Sequence, residues 1–221
     1  MKLLIFDTET TGLPKSRESA NVSPNNWPHL VSISWVILDA ETNQIEKKEN
    51  FIVYPEKWVI PEEASKIHGI TQEKALKEGE PLESIMMCFL YDQYDIVVAH
   101  NLEFDLNVLI QALKWDLNIS SFDGTSFPKK CCTMSLSRNI CKLPFKNGGN
   151  GYKSPKLKEL YEFVFKKQPD ESSLHSSSYD TEILTEIIQN CNELRVEMGL
   201  PVIDTLQDNG IRTTTLSLRL T

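Results

Sequence analysis

The amino-acid sequence predicts an α/β protein in which helices cover a mixed β-sheet. Three strand patterns occupy the first quarter of the chain, and helical patterns then alternate with a further strand pattern, DIVVAH, at residues 95–100. Strands followed by helices that are interleaved with further strands are typical of this layered architecture. The chain has 221 residues, of which 40% are hydrophobic, so it can bury a full core.

Three strand patterns precede the helices. The first, KLLIFDTE, covers residues 2–9, and the second, LVSISWVIL at 30–38, alternates large apolar side chains with smaller or polar ones. The third, KENFIVYP, covers residues 48–55, so we expect an antiparallel meander of three strands. Residues 14–28 separate the first two strands and contain three prolines, which predicts a long loop directly after the first strand.

Helical patterns begin near residue 61. One of them starts at Asn101, a residue type that can cap a helix. The last is the longest, and its apolar side chains form one stripe that we expect to face the core: Ile183, Leu184, Ile187, Ile188, Cys191 and Leu194. The predicted helices are PEEASKI (61–67), PLESIMMCFLYDQY (81–94), NLEFDLNVLIQALKW (101–115), LKELYEFVF (157–165) and YDTEILTEIIQNCNELRVEM (179–198).

The chain shows no internal repeat, and we expect one domain, residues 1–198, followed by a C-terminal tail, residues 199–221. The apolar run near its start is too short for a signal peptide, and no later run is long enough to cross a bilayer. Five irregularly spaced cysteines suit a reducing compartment. We therefore expect an intracellular protein, cytoplasmic or nuclear, that is neither secreted nor bound to a membrane.

The cysteines are weak candidates for a zinc site. Cys131, Cys132 and Cys141 lie close in sequence, but no Cys-x2-Cys pair or nearby histidine completes a tetrahedral ligand set. We interpret them as ordinary thiols.

Charge is distributed unevenly along the chain. The net charge is −8, and a globally acidic surface repels phosphate. Residues 129–167, however, contain ten lysines and arginines against two glutamates. A basic segment within an acidic protein is a candidate contact for nucleic acid. The alternative is a solvated, lysine-rich surface or loop.

Four carboxylates are predicted to meet at one rim of the sheet. Asp7 and Glu9, in FDTETTG at 6–12, are two residues apart on a strand, so they point to the same face. HNLEFD places Asp105 in the first turn of a helix, and HSSSYD places Asp180 at the start of the last long helix. Such strand ends and helix starts form ligand sites in α/β domains. Neighbouring acids repel unless a cation lies between them.

Oxygen ligands favour Mg²⁺ or Mn²⁺ over zinc. Two such ions could stabilise the attacking and the leaving oxygen of a phosphodiester. His175, five residues before Asp180, is the candidate general base because imidazole titrates near neutral pH.

The ordered set FDTETTG, HNLEFD and His-x4-Asp resembles the three motifs of the DEDDh family of DnaQ-like 3′→5′ exonucleases. KIHGIT at residues 66–71 is a further family-like element, and the similarity extends from residue 3 to about residue 190. The resemblance implies an RNase H-like fold with a five-stranded mixed sheet flanked by helices. It also implies two-metal hydrolysis that releases nucleoside 5′-monophosphates from a 3′ end, with Asp7, Glu9, Asp105 and Asp180 as ligands and His175 as base.

The resemblance further implies a pocket for the terminal nucleotide. By similarity its candidates are Thr10, Thr11, Leu13, Ile67, His68, Asn101 and Phe104. One departure from the family pattern is the run of three serines and Tyr179 between His175 and Asp180.

Several functions remain open at this stage. We favour a Mg²⁺-dependent exonuclease, two ions per site with Mn²⁺ as a substitute, that acts on single-stranded DNA. It would work alone or with a polymerase in proofreading or repair. An exoribonuclease, another hard-metal phosphohydrolase and a non-catalytic module that binds nucleic acid or a polymerase are the alternatives. Contacts to the 2′-hydroxyl would separate DNA from RNA.

Overall fold

The computed structural model describes residues 1–203 and contains a five-stranded sheet. The strands are β1 Lys2–Thr10, β2 Leu30–Asp39, β3 Ile45–Ile52, β4 Ile96–Ala99 and β5 Lys129–Cys132. They lie in the order β3-β2-β1-β4-β5. β1 and β2 pair antiparallel, as do β2 and β3, whereas β4 is parallel to both β1 and β5. The mixed five-stranded sheet and the antiparallel meander are therefore confirmed.

Helices cover both faces of this sheet. Within the described residues they are α1 Glu62–His68, α2 Gln72–Glu78, α3 Leu82–Tyr91, α4 Leu102–Ile110, α5 Thr133–Leu136, α6 Arg138–Cys141, α7 Leu157–Phe165, α8 Ser177–Asn190 and α9 Asn192–Met198. A π-helix, Gln111–Asp116, continues α4.

The central strand β1 is apolar on both sides, and this fixes the direction of the residues that follow. Leu4 and Phe6 pack with residues of α3 and α4 on one face. Leu3 and Ile5 pack with residues of α8 on the other face. All four side chains are fully buried, and burial of each contributes about 1.5–3 kcal/mol. Because side chains alternate along a strand, the end of β1 also presents one set of residues to α8 and another to α4.

Two strands differ from the prediction. β3 covers Ile45–Ile52 instead of 48–55; Val53 makes only an isolated bridge to Glu80, and Pro55 has no N–H for a strand ladder. β5 was not predicted. It has four residues, two of them exposed lysines at the sheet edge, so it carries no recognisable strand pattern.

The last predicted helix is in fact two helices. α8 begins at Ser177, two residues before the predicted start, and ends at Asn190. Cys191 adopts an extended conformation, with φ −110° and ψ 94°, and α9 follows. The break turns α9 so that the fully buried Arg195 donates hydrogen bonds to the carbonyls of Ala40 and Pro201. The predicted apolar stripe is buried throughout.

The helix predicted from Asn101 also changes character. Asn101 precedes α4 in the left-handed region, at φ 83°, and its side chain caps no helix N–H. After Ile110 the helix becomes π-helical, and the π-helix carries Lys114 and Trp115 toward the 14–28 loop. Lys114 Nζ donates to the Asn21 carbonyl at 3.0 Å.

The 14–28 loop has no helix or strand, as predicted, but side chains fix it firmly. Trp115 Nε1 donates to the Ala20 carbonyl, and Asn107 Oδ1 accepts from the Ala20 amide at 2.8 Å. Inside the loop, Asn26 Oδ1 accepts from both the amide and the hydroxyl of Ser16. Trp27 Nε1 donates to the carbonyl of Glu18 at 2.7 Å. The loop is therefore attached to the middle of α4 and to the π-helix that follows it.

The five cysteines are free thiols, and three of them are buried. Within residues 1–203, no helix has the length and hydropathy needed to cross a membrane. Most of the predicted tail, from residue 204 onward, lies outside the described residues.

Candidate active site

Two acids of β1 meet an acid of α8 at the rim of the sheet. Asp7 and Glu9 point to the face that carries Leu3 and Ile5, which α8 covers. Asp180 lies in the first turn of α8. One carboxylate oxygen from each of Asp7, Glu9 and Asp180 lies within 4.8 Å of the others. The structure therefore brings together three of the four predicted metal ligands.

Asp105, the fourth predicted ligand, approaches from the opposite face. It lies in the first turn of α4 and is 3% exposed. Thr8, between the two acids of β1, points toward α4, and its Oγ1 donates a 2.7 Å hydrogen bond to Asp105 Oδ1. Sequence analysis missed this role of Thr8, although the alternation of β1 was a signal for it.

Burial raises the pKa values of all four acids, and the charges of neighbouring carboxylates raise those of Asp7 and Glu9 further. Burial raises the pKa of Asp7 well above its ordinary value, and the neighbouring carboxylates add to this effect. Burial and then the charges of Asp180 and Asp105 raise the pKa of Glu9 to about 8. Burial raises the pKa of Asp105 to about 7 and that of Asp180 to about 6. Without a counter-charge, the cluster holds protons that isolated acids would lose.

The donor set fits a divalent cation. Asp180 Oδ1 is buried and has no hydrogen-bond partner among the described residues. An isolated buried oxygen of this kind is costly, and a ligand would satisfy it. A site made only of carboxylate oxygens suits hard cations such as Mg²⁺ or Mn²⁺. The positive charge would also offset the repulsion that raises the pKa values of Asp7 and Glu9.

His175 lies in the loop before α8. Its side chain is exposed, and its backbone is in the left-handed region, at φ 63°. Its backbone N–H interacts with the Asp180 carboxylate, which opposes the rise in the pKa of that acid caused by burial. His175 lies five residues before Asp180 in sequence, and it lines a cavity beside the start of α8.

Tyr179, one of the departures from the family pattern, holds this loop. Its hydroxyl accepts a 2.8 Å hydrogen bond from the Asp170 amide. The Asp170 carboxylate in turn accepts from the hydroxyls of Ser172 and Ser173 at 2.7 Å. The loop that carries His175 is thus tied to the first turn of α8.

A cavity of about 410 Å³ separates the end of α1 from the His175 loop. This volume is within the range of small-ligand sites. Its walls include Ile67, His68, Leu174, His175 and Tyr179. Two predicted pocket residues, Ile67 and His68, therefore face the same cavity as the predicted base, His175.

Of the predicted pocket residues, Ile67 and His68 line this cavity, whereas Leu13 does not. His68 is buried; its Nδ1 accepts from the Ile70 amide at 3.1 Å, and its Nε2 has no partner among residues 1–203. Burial lowers the pKa of His68, so its ring is neutral near pH 7. Ile67 is 60% exposed and Leu13 82% exposed. Large apolar side chains with this exposure are available to a ligand.

The remaining predicted pocket residues are fixed by their neighbours. Thr10 Oγ1 donates to the Gly12 carbonyl at 2.7 Å. The Thr11 amide donates to the His29 carbonyl, and Thr11 Oγ1 accepts from the His29 amide, each at 3.0 Å. Asn101 is exposed. Phe104 packs edge-on against Trp27, with 5.5 Å between ring centroids.

This sheet, with two acids on its first strand and a third at the start of α8, defines a nuclease of the DEDDh type. The family model for RNase T exonucleases matches residues 4–188, and the chain belongs to this exonuclease family. It is an enzyme family whose members cleave nucleic acid from an end. Among curated proteins, none matches the sequence.

Solved structures share the fold. Exonuclease X, solved with a 5′-overhanging duplex DNA, has a TM-score of 0.56 and 23% identity, over 90% of this chain and 94% of that chain. The nuclease domain of 3′hExo, a DEDDh family member bound to rAMP, has a TM-score of 0.59 and 16% identity. The match covers 90% of this chain and 93% of that chain. Exonuclease I of E. coli with a dA16 oligonucleotide has a TM-score of 0.64 and 14% identity, over 90% and 41%.

Proposed function

We propose that this chain is a metal-dependent 3′→5′ exonuclease that acts on DNA and releases nucleoside 5′-monophosphates. The observation that carries the proposal is the carboxylate cluster of Asp7, Glu9 and Asp180. One oxygen of each of these acids lies within 4.8 Å of the other two. The unpartnered Asp180 Oδ1 supports it, because this buried atom needs a ligand. Membership of the exonuclease family makes a phosphodiester the bond to be cleaved.

Four acids would hold the metal. Asp7, Glu9 and Asp180 provide the first set, and Asp105 approaches from α4 with its orientation fixed by Thr8. Two Mg²⁺ ions, or Mn²⁺ in their place, would activate a water and stabilise the leaving 3′ oxygen. His175 would accept the proton of the attacking water, a task for which its exposure at the cavity edge leaves it free to move.

The terminal nucleotide would occupy the cavity between α1 and the His175 loop. Leu13 and Ile67 would contact its base or sugar, since both are large, apolar and exposed. His68, Asn101 and Phe104, with the turn at Thr10 and Thr11, would form the rest of the pocket. Apolar contacts of this kind accept any base, which suits an enzyme that removes whatever nucleotide is terminal.

Single-stranded DNA is the substrate we propose, and the DNA-bound structures of two neighbours support it. Exonuclease I was solved with oligonucleotides, and exonuclease X with a duplex that has an overhang. The same activity would serve a free-standing repair nuclease or the proofreading partner of a polymerase. RNA is the second candidate, because 3′hExo was solved with rAMP, a ribonucleotide.

A cleavage time course tests the proposal. Single-stranded DNA and RNA of one sequence, labelled at the 5′ end, are incubated with Mg²⁺, Mn²⁺ or EDTA, and products are resolved at single-nucleotide steps. We expect a metal-dependent ladder that shortens from the 3′ end, faster on DNA. Asp180→Asn should abolish it while leaving the circular dichroism spectrum unchanged. A ladder that persists in EDTA, or full activity of Asp180→Asn, would refute the metal site.

A further inference from the structure

A basic, glycine-rich hairpin connects α6 to α7, and the mechanism proposed above does not use it. We call residues 142–156 the basic hairpin. The Lys153 amide donates to the Leu143 carbonyl at 2.9 Å, and Pro144 pairs with Tyr152 in an antiparallel bridge. At the tip, Gly148 adopts φ 71° and its amide donates to the carbonyl of Phe145 at 3.1 Å. The segment is thus a hairpin with defined pairing at its base.

The composition of the basic hairpin is unusual for this acidic chain. No aspartate or glutamate occurs between residues 139 and 158. Lys153 is paired with Glu159, and the nearby charge of Lys156 also lowers the pKa of that glutamate. Lys142, Lys146 and Lys156 are exposed, and none of them forms an ion pair within 4 Å of an acid among the described residues. Three exposed lysines on one projection give a local field that attracts a polyanion.

Two aromatic side chains accompany these lysines. Phe145 and Tyr152 are each 40% exposed, so part of each ring is open to solvent. Tyr152 forms the bridge with Pro144, and Phe145 directly follows Pro144, so both rings lie at the paired end of the hairpin. Positive charge together with exposed aromatic rings is the combination that binds single-stranded nucleic acid, through phosphates and unpaired bases respectively.

The basic hairpin is fixed next to the active site by His100. This residue lies between β4 and α4 and is the first residue of the HNLEFD stretch that carries Asp105. Its Nε2 is 3.0 Å from the Pro155 carbonyl, and its Nδ1 is 3.0 Å from the hydroxyl of Thr133. Burial lowers the pKa of His100 to about 4. The neutral ring therefore donates from Nε2 to Pro155 and accepts at Nδ1.

We propose that the basic hairpin is a second binding site, which holds the nucleotides that lie 5′ to the terminal one in a single strand. The lysines would contact phosphates, and Phe145 and Tyr152 would stack on unpaired bases. This inference rests on the proposed function, and it adds a preference for longer single strands over very short ones. Because a base can stack on these rings only when it is unpaired, the site selects single-stranded over duplex substrate near the 3′ end.

The first test compares a polymer with a substrate that cannot reach the basic hairpin. The polymer is a 20-nucleotide single-stranded DNA, and the small substrate is the p-nitrophenyl ester of thymidine 5′-monophosphate. In the double variant Lys146→Gln/Lys156→Gln we expect KM for the polymer to rise roughly tenfold, as two phosphate contacts are lost. Hydrolysis of the ester should keep its wild-type kcat/KM.

A matched control separates the basic hairpin from general electrostatics. Lys74→Gln/Lys77→Gln removes the same charge from α2, where both lysines are exposed. We expect this control to leave KM for the polymer within about twofold of the wild-type value. An equal loss in both double variants would overturn the inference, as would a loss of ester hydrolysis in the hairpin variant.

A direct measurement of binding tests the basic hairpin independently of hydrolysis. The wild type and both double variants are titrated against a fluorescent oligo(dT) of 20 nucleotides in EDTA, and anisotropy is followed at several salt concentrations. We expect the hairpin variant to bind more weakly and its log–log salt slope to fall by about 0.7 for each lost contact. Wild-type affinity in this variant would overturn the second site. Absence of hydrolysis in the wild type would instead refute the exonuclease.

Substitutions of Tyr152 test the stacking contact independently of the lysines. Tyr152→Ala should weaken binding of the single strand by roughly fivefold or more, the lower range for one stacked base. Tyr152→Phe keeps the ring and should bind like the wild type. Equal behaviour of the two variants would remove stacking from the inference.

Discussion

At the residue scale, the acid cluster is a compromise between stability and binding. Asp7, Glu9 and Asp180 share a small volume, and each raises the cost of ionising the others. Such an arrangement weakens the metal-free protein but creates a site of high negative charge. Thr8 reduces the cost on the other face of β1, because its hydroxyl stabilises the charged form of Asp105.

Thr8→Val should therefore damage the site without changing its shape. The buried oxygen of Asp105 would lose its donor, and we expect the free energy of unfolding to fall by about 1–3 kcal/mol. The Mg²⁺ concentration for half-maximal activity should rise, because the orientation of Asp105 is no longer fixed. Urea unfolding in EDTA at pH 8 and a Mg²⁺ titration measure the two effects. Thr8→Ser, which keeps the hydroxyl, is the control; equal losses in both variants would contradict the role of the hydrogen bond.

His175→Ala tests the general base. We expect the rate to fall by roughly 10²–10⁴, the usual contribution of such a group, while Mg²⁺ binding measured by calorimetry is retained. The pH–rate profile should lose the limb that reports the imidazole. If the profile of the variant has the same shape as that of the wild type, another group accepts the proton.

At the scale of elements, the π-helix determines the position of the 14–28 loop. Its wider turn carries Trp115 to the Ala20 carbonyl and Asp116 to His29, whose Nδ1 is 2.9 Å from the Asp116 carboxylate. His29 also stacks on Trp58, with 4.6 Å between ring centroids. Since His29 is bonded to Thr11 through its backbone, the π-helix indirectly fixes the turn after β1. π-helices of this kind often occur near functional sites.

Trp115→Phe should loosen this loop, because the ring remains but the N–H donor to Ala20 is lost. We expect faster trypsin cleavage after Lys15 and Arg17, which are exposed within the loop. Mass spectrometry of a cleavage time course measures the effect. Cleavage at α2, after Lys74 or Lys77, is the internal reference and should not change. An unchanged rate after Lys15 and Arg17 would show that the remaining contacts suffice.

At the scale of the whole molecule, the raised pKa values predict how stability depends on pH. A carboxyl group whose pKa is higher in the folded than in the unfolded state holds a proton that unfolding releases. The folded state then binds more protons, so the free energy of unfolding falls as pH rises. The pH range of this effect begins near 4, the pKa of these acids in the unfolded chain. It ends at their pKa values in the folded protein, which are about 6 for Asp180, 7 for Asp105 and 8 for Glu9.

We therefore expect the metal-free protein to lose stability between pH 5 and pH 8, by up to about 1.4 kcal/mol per pH unit for each proton involved. Denaturation in EDTA at several pH values measures the slope. Saturating Mg²⁺ should flatten it, because a bound cation favours the charged carboxylates. Glu9→Gln, which removes one titrating group, should reduce the slope. Stability that rises over this window in EDTA would contradict the raised pKa values.

The architecture was largely predictable from the sequence, and the exceptions have physical causes. β1, β2 and α8 carry long apolar patterns, and each was predicted. β5 was missed because a four-residue edge strand with two exposed lysines buries too little to leave a pattern. The break at Cys191 was missed because the apolar stripe continues across it, so periodicity alone does not distinguish one helix from two. The π-helix was missed for a similar reason, since its residues continue the pattern of α4.

The sequence by itself determined the fold class and the exonuclease family, and it predicted the acids of the site, because short motifs and apolar alternation are local properties of the chain. The tertiary structure alone decided how the acids meet. Asp180 joins Asp7 and Glu9 on one face of β1, whereas Asp105 comes from the other face and depends on Thr8. It also placed the basic hairpin beside His100. These contacts join residues far apart in sequence, so packing decides them.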